Sequence, residues 1–388
     1  MTFITQSKIL TLNEQIIGSP GIDTKLLAII ALSSRVFVFG VALAANDMLP
    51  LRSCTHCWDI GVPFVNLFSR WDSSYYANIA MLGYPHQITA RWAFFPGYPI
   101  VIGVLGRFLS ITLQLKLVPA VYLAGFLASN VAFLGATYYV SRLSGMILND
   151  VRLAVVSATL FAFYPAGVFF SAVYSDSLFL LLTISALYYC WKNNVGTSAA
   201  LGFFASLTRP VGVLLVVPIL YKIVKDTSRR TAARSYLPVV GTMLGYLIFV
   251  AYSQVMTGTM FASSMAERSY WTVYFNPYDR LIGNVREILA NPIILPYLAL
   301  SLSALVAYIQ RARSRDETAV GLYAICLLSV YLISPLDSFA RYSITLLPAY
   351  WVFSRWSEDS TAKILICALF LILLAIGTAL FVGWYRFY

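Results

Sequence analysis

Charged residues are scarce in this sequence, and their scarcity excludes an ordinary soluble protein. Only 11% of the 388 residues are charged, whereas a soluble globular domain carries about 25%. The mean hydropathy is +0.76. The sequence also lacks an internal repeat of about 20–50 residues, which argues against a repeat architecture. No segment has the composition of a separate soluble domain.

Potential metal ligands are few as well. The sequence has two histidines and five cysteines, and Cys54 and Cys57 form a single C-x-x-C pair. A structural zinc site needs about four ligands. The pair either forms a local disulfide, if its loop faces an oxidising compartment, or has no function. Asp72, Asp176 and Asp337 are widely spaced in the sequence. We therefore expect no metal site and no cofactor, although the sequence does not fix a metal requirement.

Acidic residues are outnumbered, and the net charge is +11. In a soluble protein such an excess would suggest a nucleic-acid partner. In a membrane protein the cytoplasmic loops are basic, and the tight basic cluster at 221–234 fits such a loop. We therefore expect membrane lipids, and no nucleic acid, as partners.

Long apolar runs dominate the sequence instead. About 20 apolar residues suffice to cross a bilayer, and the run 364–385 contains no charge. The run 26–45 is expected to be an uncleaved first helix. The sequence thus predicts an all-α, polytopic integral membrane protein with a single domain over residues 1–388. About eleven crossings are predicted near 26–45, 118–141, 153–174, 177–191, 197–208, 210–223, 236–257, 290–310, 318–334, 342–355 and 364–385.

The charge distribution predicts the orientation of these crossings. The positive-inside rule places the basic cluster and the N-terminus in the cytoplasm, and two long loops, 46–116 and 258–289, on the outer side. The first loop is expected to carry juxtamembrane helices, because the apolar part of 92–116 is too short to cross. If that segment did cross, Arg142 and Arg152 would move outside. The short segments around 208–210 predict a hairpin with a buried tip.

Five ionisable residues are predicted at the outer ends of apolar helices: Asp72, Asp176, Arg209, Asp337 and Arg341. A charge near the hydrocarbon core costs about 2.5–3.5 kcal/mol on insertion scales, so such residues are functional candidates. Structural interpretations remain open. The two aspartates Asp72 and Asp176 would cap helices, Arg209 would anchor a helix end at the headgroups, and Arg341 would pair with Asp337.

The convergence of these charges on one face favours a reaction at a lipid-linked phosphate. A carboxylate can accept the proton of an attacking hydroxyl. Guanidinium groups can hold a phosphate and stabilise the charge that develops as it leaves. Because a phosphate leaving group needs no general acid, a single base suffices for an inverting displacement.

The stretch "RWDSSYYANIAMLGYPHQITARWAFFPGYP" resembles the signature of the GPI mannosyltransferase 2 family and its prokaryotic relatives. Three later segments are also similar to family motifs in the same order: "FYPAGVFFSAVYSDSLFLLL", "SLTRPVGVLLVVP" and "FARYSITLLPAYW". Asp176 stands where the family usually has Glu, and Tyr75 stands where many members have His. The acid that members often carry between G-Y and A-F-F-P is absent.

The resemblance implies a GT-C fold and a polyprenyl- or dolichyl-phosphate sugar donor, used on the outer or lumenal face. It implies that Asp72 is the general base and that Arg209 and Arg341 contact the donor phosphate. Asp176 and the aromatic residues Trp71 and Tyr75 are candidate substrate contacts.

We therefore expect an inverting glycosyltransferase that moves a hexose, with mannose as the expected sugar, to a hydroxyl of a lipid- or glycan-linked acceptor. In a prokaryote it would lie in the cell membrane. One alternative is the same chemistry with another polyprenyl-phosphate sugar. The other is a transporter or flippase for lipid-linked sugars, although such proteins usually have paired repeats with broken helices in both halves.

Overall fold

Helices and short connections make up the described chain. The computed structural model describes residues 22–50, 60–226, 232–271, 276–312, 314–385 and 387, and none of these lies in a strand. The possible disulfide between Cys54 and Cys57 lies outside the described residues. The α-helices are α1 Thr24–Met48, α2 Pro63–Asn66, α3 Ser73–Leu82, α4 Gly97–Thr112, α5 Leu117–Leu148, α6 Val151–Ala162, α7 Asp176–Trp191, α8 Val195–Thr208, α9 Val216–Lys225, α10 Leu237–Thr257, α11 Ala262–Trp271, α12 Pro277–Ala290, α13 Ile294–Arg311, α14 Arg315–Ile333, α15 Phe339–Ser343, α16 Leu347–Trp356 and α17 Ser360–Val382.

Within the described chain, six helical segments are long and apolar enough to cross a membrane. They are Thr24–Met48, Leu117–Leu148, Ala233–Thr257, Ile294–Arg311, Arg315–Ile333 and Ser360–Val382. Their outward-facing side chains are apolar, as Val36, Val255 and Ile364 illustrate by their exposure. The chain is therefore a multi-pass membrane protein. The count of eleven crossings stays a prediction, because α4, α6, α7 and α8 have only 12–16 residues.

The predicted crossing at 153–174 is not a single helix, and the prediction was wrong in this respect. Helix α6 ends at Ala162, and a short 3-10 helix, Gly167–Phe170, follows. Arg35 of α1 holds this irregular segment, since Nη1 donates to the Gly167 carbonyl at 2.8 Å and Nη2 to the Ala162 carbonyl at 3.2 Å. A buried cation thereby satisfies backbone carbonyls that have no helical partner.

Close helix packing depends on small residues. Helix α10 lies against α8, and a Cβ built on Gly241 would come within 2.5 Å of the Ala199 carbonyl oxygen. Gly245 likewise lies against the Phe203 carbonyl. Glycines at these positions let the two helix backbones approach closely. Inside a bilayer the hydrophobic effect does not drive helices together, so their association depends on such close van der Waals packing.

The predicted outer loop 46–116 contains α2, α3 and α4 in its described part. Helix α4 follows Pro96 and a 3-10 turn, Ala90–Ala93, and its 16 residues form a shorter helix than a typical membrane span. Its predicted position at the membrane face stays a prediction. The predicted outer loop 258–289 contains α11 and most of α12.

Candidate active site

Asp72 immediately precedes α3 at the end of a tight turn. Trp71 has a φ of 51°, in the left-handed region that non-glycine residues rarely adopt. The Asp72 backbone N–H donates to Tyr174 Oη at 3.1 Å. The Asp72 carboxylate makes no capping hydrogen bond, and its Oδ2 instead accepts from Arg341 Nη1 at 2.7 Å. The helix-cap interpretation of Asp72 was therefore wrong.

Arg341 lies in the five-residue helix α15 and is only 6% exposed. Its guanidinium carbon is 5.2 Å from the ring centre of Tyr174 and 5.3 Å from that of Tyr342, within reach of a cation–π interaction. The sequence-based alternative of an ion pair with Asp337 was wrong, because Arg341 pairs with Asp72, 269 positions away.

Arg209 and Asp176 form a second buried ion pair. Pro210 disfavours helical geometry in the residue before it, so α8 ends and Arg209 is extended, with φ −148° and ψ 144°. Arg209 is 9% exposed and Asp176 is 1% exposed. Arg209 is thus no headgroup anchor, and the predicted hairpin tip is buried. Asp176 begins α7 without a side-chain cap, which contradicts its cap interpretation.

The two ion pairs meet around one aromatic ring. The ring centre of Tyr342 lies 5.5 Å from the Arg209 guanidinium carbon and 5.3 Å from that of Arg341. Tyr331 stacks on Tyr342 with 4.7 Å between the ring centres. Among the described residues, Arg341 Nε and Asp176 Oδ2 are buried without a hydrogen-bond partner. An unsatisfied buried polar group costs about 1–3 kcal/mol, so a ligand that hydrogen-bonds to these atoms would stabilise the cluster.

A cavity of about 540 Å³ adjoins this cluster. One part of its wall is polar and is formed by Asp72, Tyr76, Arg209, Glu267, Arg341 and Tyr342. Another part is apolar and is formed mainly by residues of α10 and of the segment after Arg209: Val211, Val213, Leu214, Tyr246, Phe249 and Val250. The cavity therefore suits a ligand with a charged head and an apolar chain.

The two aromatic residues predicted to contact substrate, Trp71 and Tyr75, pack against other aromatic rings near Asp72. Trp71 packs against Trp384 at 5.2 Å between ring centres, so the structure places it beside the turn that carries Asp72. Tyr75 stacks on Phe94 at 5.0 Å and meets Trp271 edge-on at 5.7 Å. These contacts brace α3 against α11, and neither Trp71 nor Tyr75 is among the residues that line the cavity.

Sequence reasoning missed several residues of the site. Tyr174 supports both Asp72 and Arg341, and Tyr342 lies between the two arginines. Glu267 lines the cavity from α11. The position of Tyr342 next to Arg341 was a usable signal, whereas Glu267 occurs in a polar segment that nothing in the sequence linked to Asp72.

The titratable groups in the cavity wall and directly beside it differ in their environments. Burial raises the pKa of Tyr76 to about 12, and its hydroxyl is 2.8 Å from Ser175 Oγ. Burial also raises the pKa of Tyr75, and the Asp72 carboxylate adds to the effect. Burial raises the pKa of the Glu267 carboxyl to about 7. The tyrosines therefore stay protonated at neutral pH, while Glu267 is close to its titration point.

Metal ligands are not assembled in the described part of the chain. No three His, Cys, Asp or Glu side chains come close enough there to hold a metal ion. The described structure therefore assigns no residues to a metal.

Known proteins resemble this chain in sequence and in fold. GPI mannosyltransferase 2 of Yarrowia lipolytica is 23% identical over 305 residues, which cover 76% of this chain and 80% of that protein. GPI alpha-1,6-mannosyltransferase 2 of Homo sapiens is 32% identical over 149 residues, which cover 38% of this chain and 30% of that protein. The match to the human protein thus spans less than a third of its length.

A solved structure supports the fold. The crystal structure of ArnT from Cupriavidus metallidurans bound to undecaprenyl phosphate matches with a TM-score of 0.51 and 14% sequence identity, over 94% of this chain and 77% of that one. This similarity indicates a GT-C fold. The family model described as "Mannosyltransferase (PIG-V)" matches residues 28–279, which is more than half of the chain and includes Asp72, Asp176 and Arg209. The chain therefore belongs to the PIG-V mannosyltransferase family.

Proposed function

We propose that this protein is an inverting glycosyltransferase. It transfers mannose from a polyprenyl- or dolichyl-phosphate donor to a hydroxyl of a lipid- or glycan-linked acceptor. The observation that carries the proposal is the cavity in which Asp72, Arg209 and Arg341 adjoin an apolar wall. The names of the mannosyltransferase relatives support the choice of sugar.

The two arginines would bind the donor phosphate. Both are buried and both line the cavity, so their charges act where solvent screening is weak. Arg341 has an unpaired Nε among the described residues. As the bond between the sugar and the phosphate breaks, negative charge grows on the phosphate oxygens, and fixed guanidinium groups stabilise it.

Asp72 would act as the base. The acceptor oxygen forms a bond to the anomeric carbon, its proton passes to the Asp72 carboxylate, and the bond from that carbon to the phosphate oxygen breaks. One displacement of this kind inverts the anomeric configuration. The donor phosphate would also compete with Asp72 for Arg341, so donor binding releases the carboxylate to face the acceptor hydroxyl.

The apolar wall would hold the first part of the lipid chain. Tyr246, Phe249 and Val250 belong to α10, whose other faces carry exposed apolar residues such as Leu244 and Ile248. A lipid tail can therefore pass from the cavity towards the bilayer beside this helix. We place the cavity on the outer or lumenal face and the N-terminus in the cytoplasm. In a prokaryote this face would be the outer face of the cell membrane.

A transfer assay tests the proposed function. The purified protein in nanodiscs would be incubated with radiolabelled polyprenyl-phosphate mannose and a lipid extract, with polyprenyl-phosphate glucose as the matched alternative donor. We expect a labelled mannolipid and release of polyprenyl phosphate, with an anomeric configuration opposite to that of the donor. Preferred use of the second donor would correct the sugar. Movement of intact donor across a proteoliposome membrane without transfer would indicate a transporter.

A further inference from the structure

Glu267 is a second carboxyl group in the cavity that the proposed reaction does not use. It lies on α11, next to Ala266, which is fully buried and packs in a cluster with Trp92 and Phe249. One turn later on the same helix, Trp271 contacts Tyr75 at 5.7 Å between ring centres. Because Tyr75 is in the first turn of the helix that follows Asp72, this contact joins α11 to the helix of the proposed base, and Glu267 and Asp72 line the same cavity.

Glu267 differs from Asp72, the other carboxylate that lines the cavity, in having no partner within the described chain. Asp72, Asp176, Glu287 and Glu317 each form an ion pair with an arginine. Among the described residues, Glu267 makes no hydrogen bond and no ion pair, and desolvation is the cause that raises its pKa. The side chain is half-buried and lines the cavity, so a ligand that displaces water there must supply hydrogen bonds to the carboxyl group.

The chemistry of this wall limits the ligand. A second phosphate is disfavoured beside two carboxyl groups, whereas sugar hydroxyls donate hydrogen bonds that a carboxylate accepts strongly. Ser263 and Ser264 of α11 line the cavity beside Glu267 and add hydroxyl groups that both donate and accept. The arginines, which would hold the donor phosphate, come from α15 and from the break after α8.

We propose that Glu267 binds hydroxyl groups of the acceptor's sugar head group and thereby orients the reacting hydroxyl towards Asp72. This inference rests on the proposed function. It makes Glu267 a specificity-determining residue for a polyhydroxylated acceptor, on a different helix from the residues that bind the donor.

The test compares Glu267→Ala and Glu267→Gln with wild type at saturating donor. Loss of the carboxyl hydrogen bonds should lower kcat/KM for the acceptor about 10–100-fold in the alanine variant, and glutamine should recover part of it through its amide. The KM for the donor should stay within about twofold of the wild-type value in both variants. Glu358→Gln, at an exposed position, is the matched control and should behave as wild type.

A binding measurement keeps the test independent of turnover. Octyl mannoside serves as a hydroxyl-bearing probe and undecaprenyl phosphate as the phosphate probe, with size-exclusion profiles reporting folding. We expect Glu267→Ala to bind octyl mannoside at least about tenfold more weakly and undecaprenyl phosphate as tightly as wild type. Unchanged octyl mannoside binding would overturn the inference, as would an equal loss for both probes. If wild type transfers sugar but Glu267→Ala keeps its acceptor kcat/KM, only this inference fails. If wild type transfers no sugar, the proposed function fails and the binding pair still decides the role of Glu267.

Discussion

Asp72 and Arg341 are joined by a hydrogen bond of 2.7 Å between Oδ2 and Nη1, although 269 positions separate them in the sequence. The bond ties the residue proposed as the base to a residue proposed to hold the donor phosphate. Each side chain is at most 13% exposed. The protein therefore holds the two groups as an ion pair, and the arrival of a phosphate anion would change the partner of Arg341.

The first prediction concerns Asp72→Asn. Asparagine keeps the shape and one acceptor oxygen but cannot take a proton, so turnover should fall about 10²–10⁴-fold. Because the competing carboxylate is gone, undecaprenyl phosphate should bind at least as tightly as to wild type. The measurements are initial rates and phosphate-probe binding on the same preparation. Turnover within a few-fold of wild type would contradict the role of Asp72 as base.

The second prediction concerns the arginines. Arg341→Ala and Arg209→Ala each remove charged hydrogen bonds worth about 1.5–3 kcal/mol, so donor affinity should fall about ten- to hundredfold while acceptor KM changes little. Arg341→Lys keeps the charge and should recover part of the affinity. Binding of undecaprenyl phosphate measures the effect directly. Donor affinity equal to wild type in folded alanine variants would leave these residues only a structural role.

The third prediction concerns Glu287, which fixes the segment before Arg341. Its Oε2 accepts from the Leu336 backbone N–H at 2.6 Å and from Arg280 Nη2 at 2.8 Å. Removing one partner of a buried ion pair costs about 3–5 kcal/mol, and Arg280 is only 2% exposed. Glu287→Ala should therefore lower the melting temperature.

The same variant should weaken donor binding by moving Arg341, while Glu287→Gln should retain most of the donor affinity through its amide oxygen. Arg286→Gln, at an exposed position of the same helix, is the control and should change neither property. A destabilised Glu287→Ala variant with normal donor affinity would show that α12 stabilises the fold without positioning Arg341.

The fourth prediction concerns the pH dependence of stability. Burial raises the pKa of Glu267 from an ordinary value of 4.5 to about 7 in the folded protein, so the folded state binds more protons than the unfolded state between these values. Stability should then be highest below pH 4.5 for this group and fall as the pH rises through about 7. Glu267→Gln should lose this contribution. Identical slopes of melting temperature against pH from 5 to 8 in wild type and variant would contradict it.

The fifth prediction concerns topology. If α4 lies at the outer face, a cysteine placed at Leu113 should react with an impermeant thiol reagent from outside, and one at Leu148 should be protected. Both would be introduced singly into a background without other cysteines. Labelling at 148 with protection at 113 would reverse the proposed orientation.

The sequence by itself determined the class of the fold and part of the site. Scarce charge and long apolar runs sufficed for a helical membrane protein, because burial in lipid requires every backbone group to be paired within a segment. The sequence also indicated the roles of several individual residues. Pro210 ends α8 at Arg209 through a local steric effect, and charges too costly for an apolar setting marked Asp72, Asp176, Arg209 and Arg341.

Only the tertiary structure decided which charges meet. Sequence spacing favoured Arg341 with Asp337, four residues apart, but the fold places Asp72 beside Arg341 and Asp176 beside Arg209. Hydropathy also treated 153–174 as one helix, whereas the chain turns after Ala162 and Arg35 binds the freed carbonyls. No sequence pattern indicated a role for Glu267, because its proposed role depends on its position in the cavity wall. Ion pairs and cavities depend on distances between segments remote in the chain, and local sequence patterns do not contain those distances.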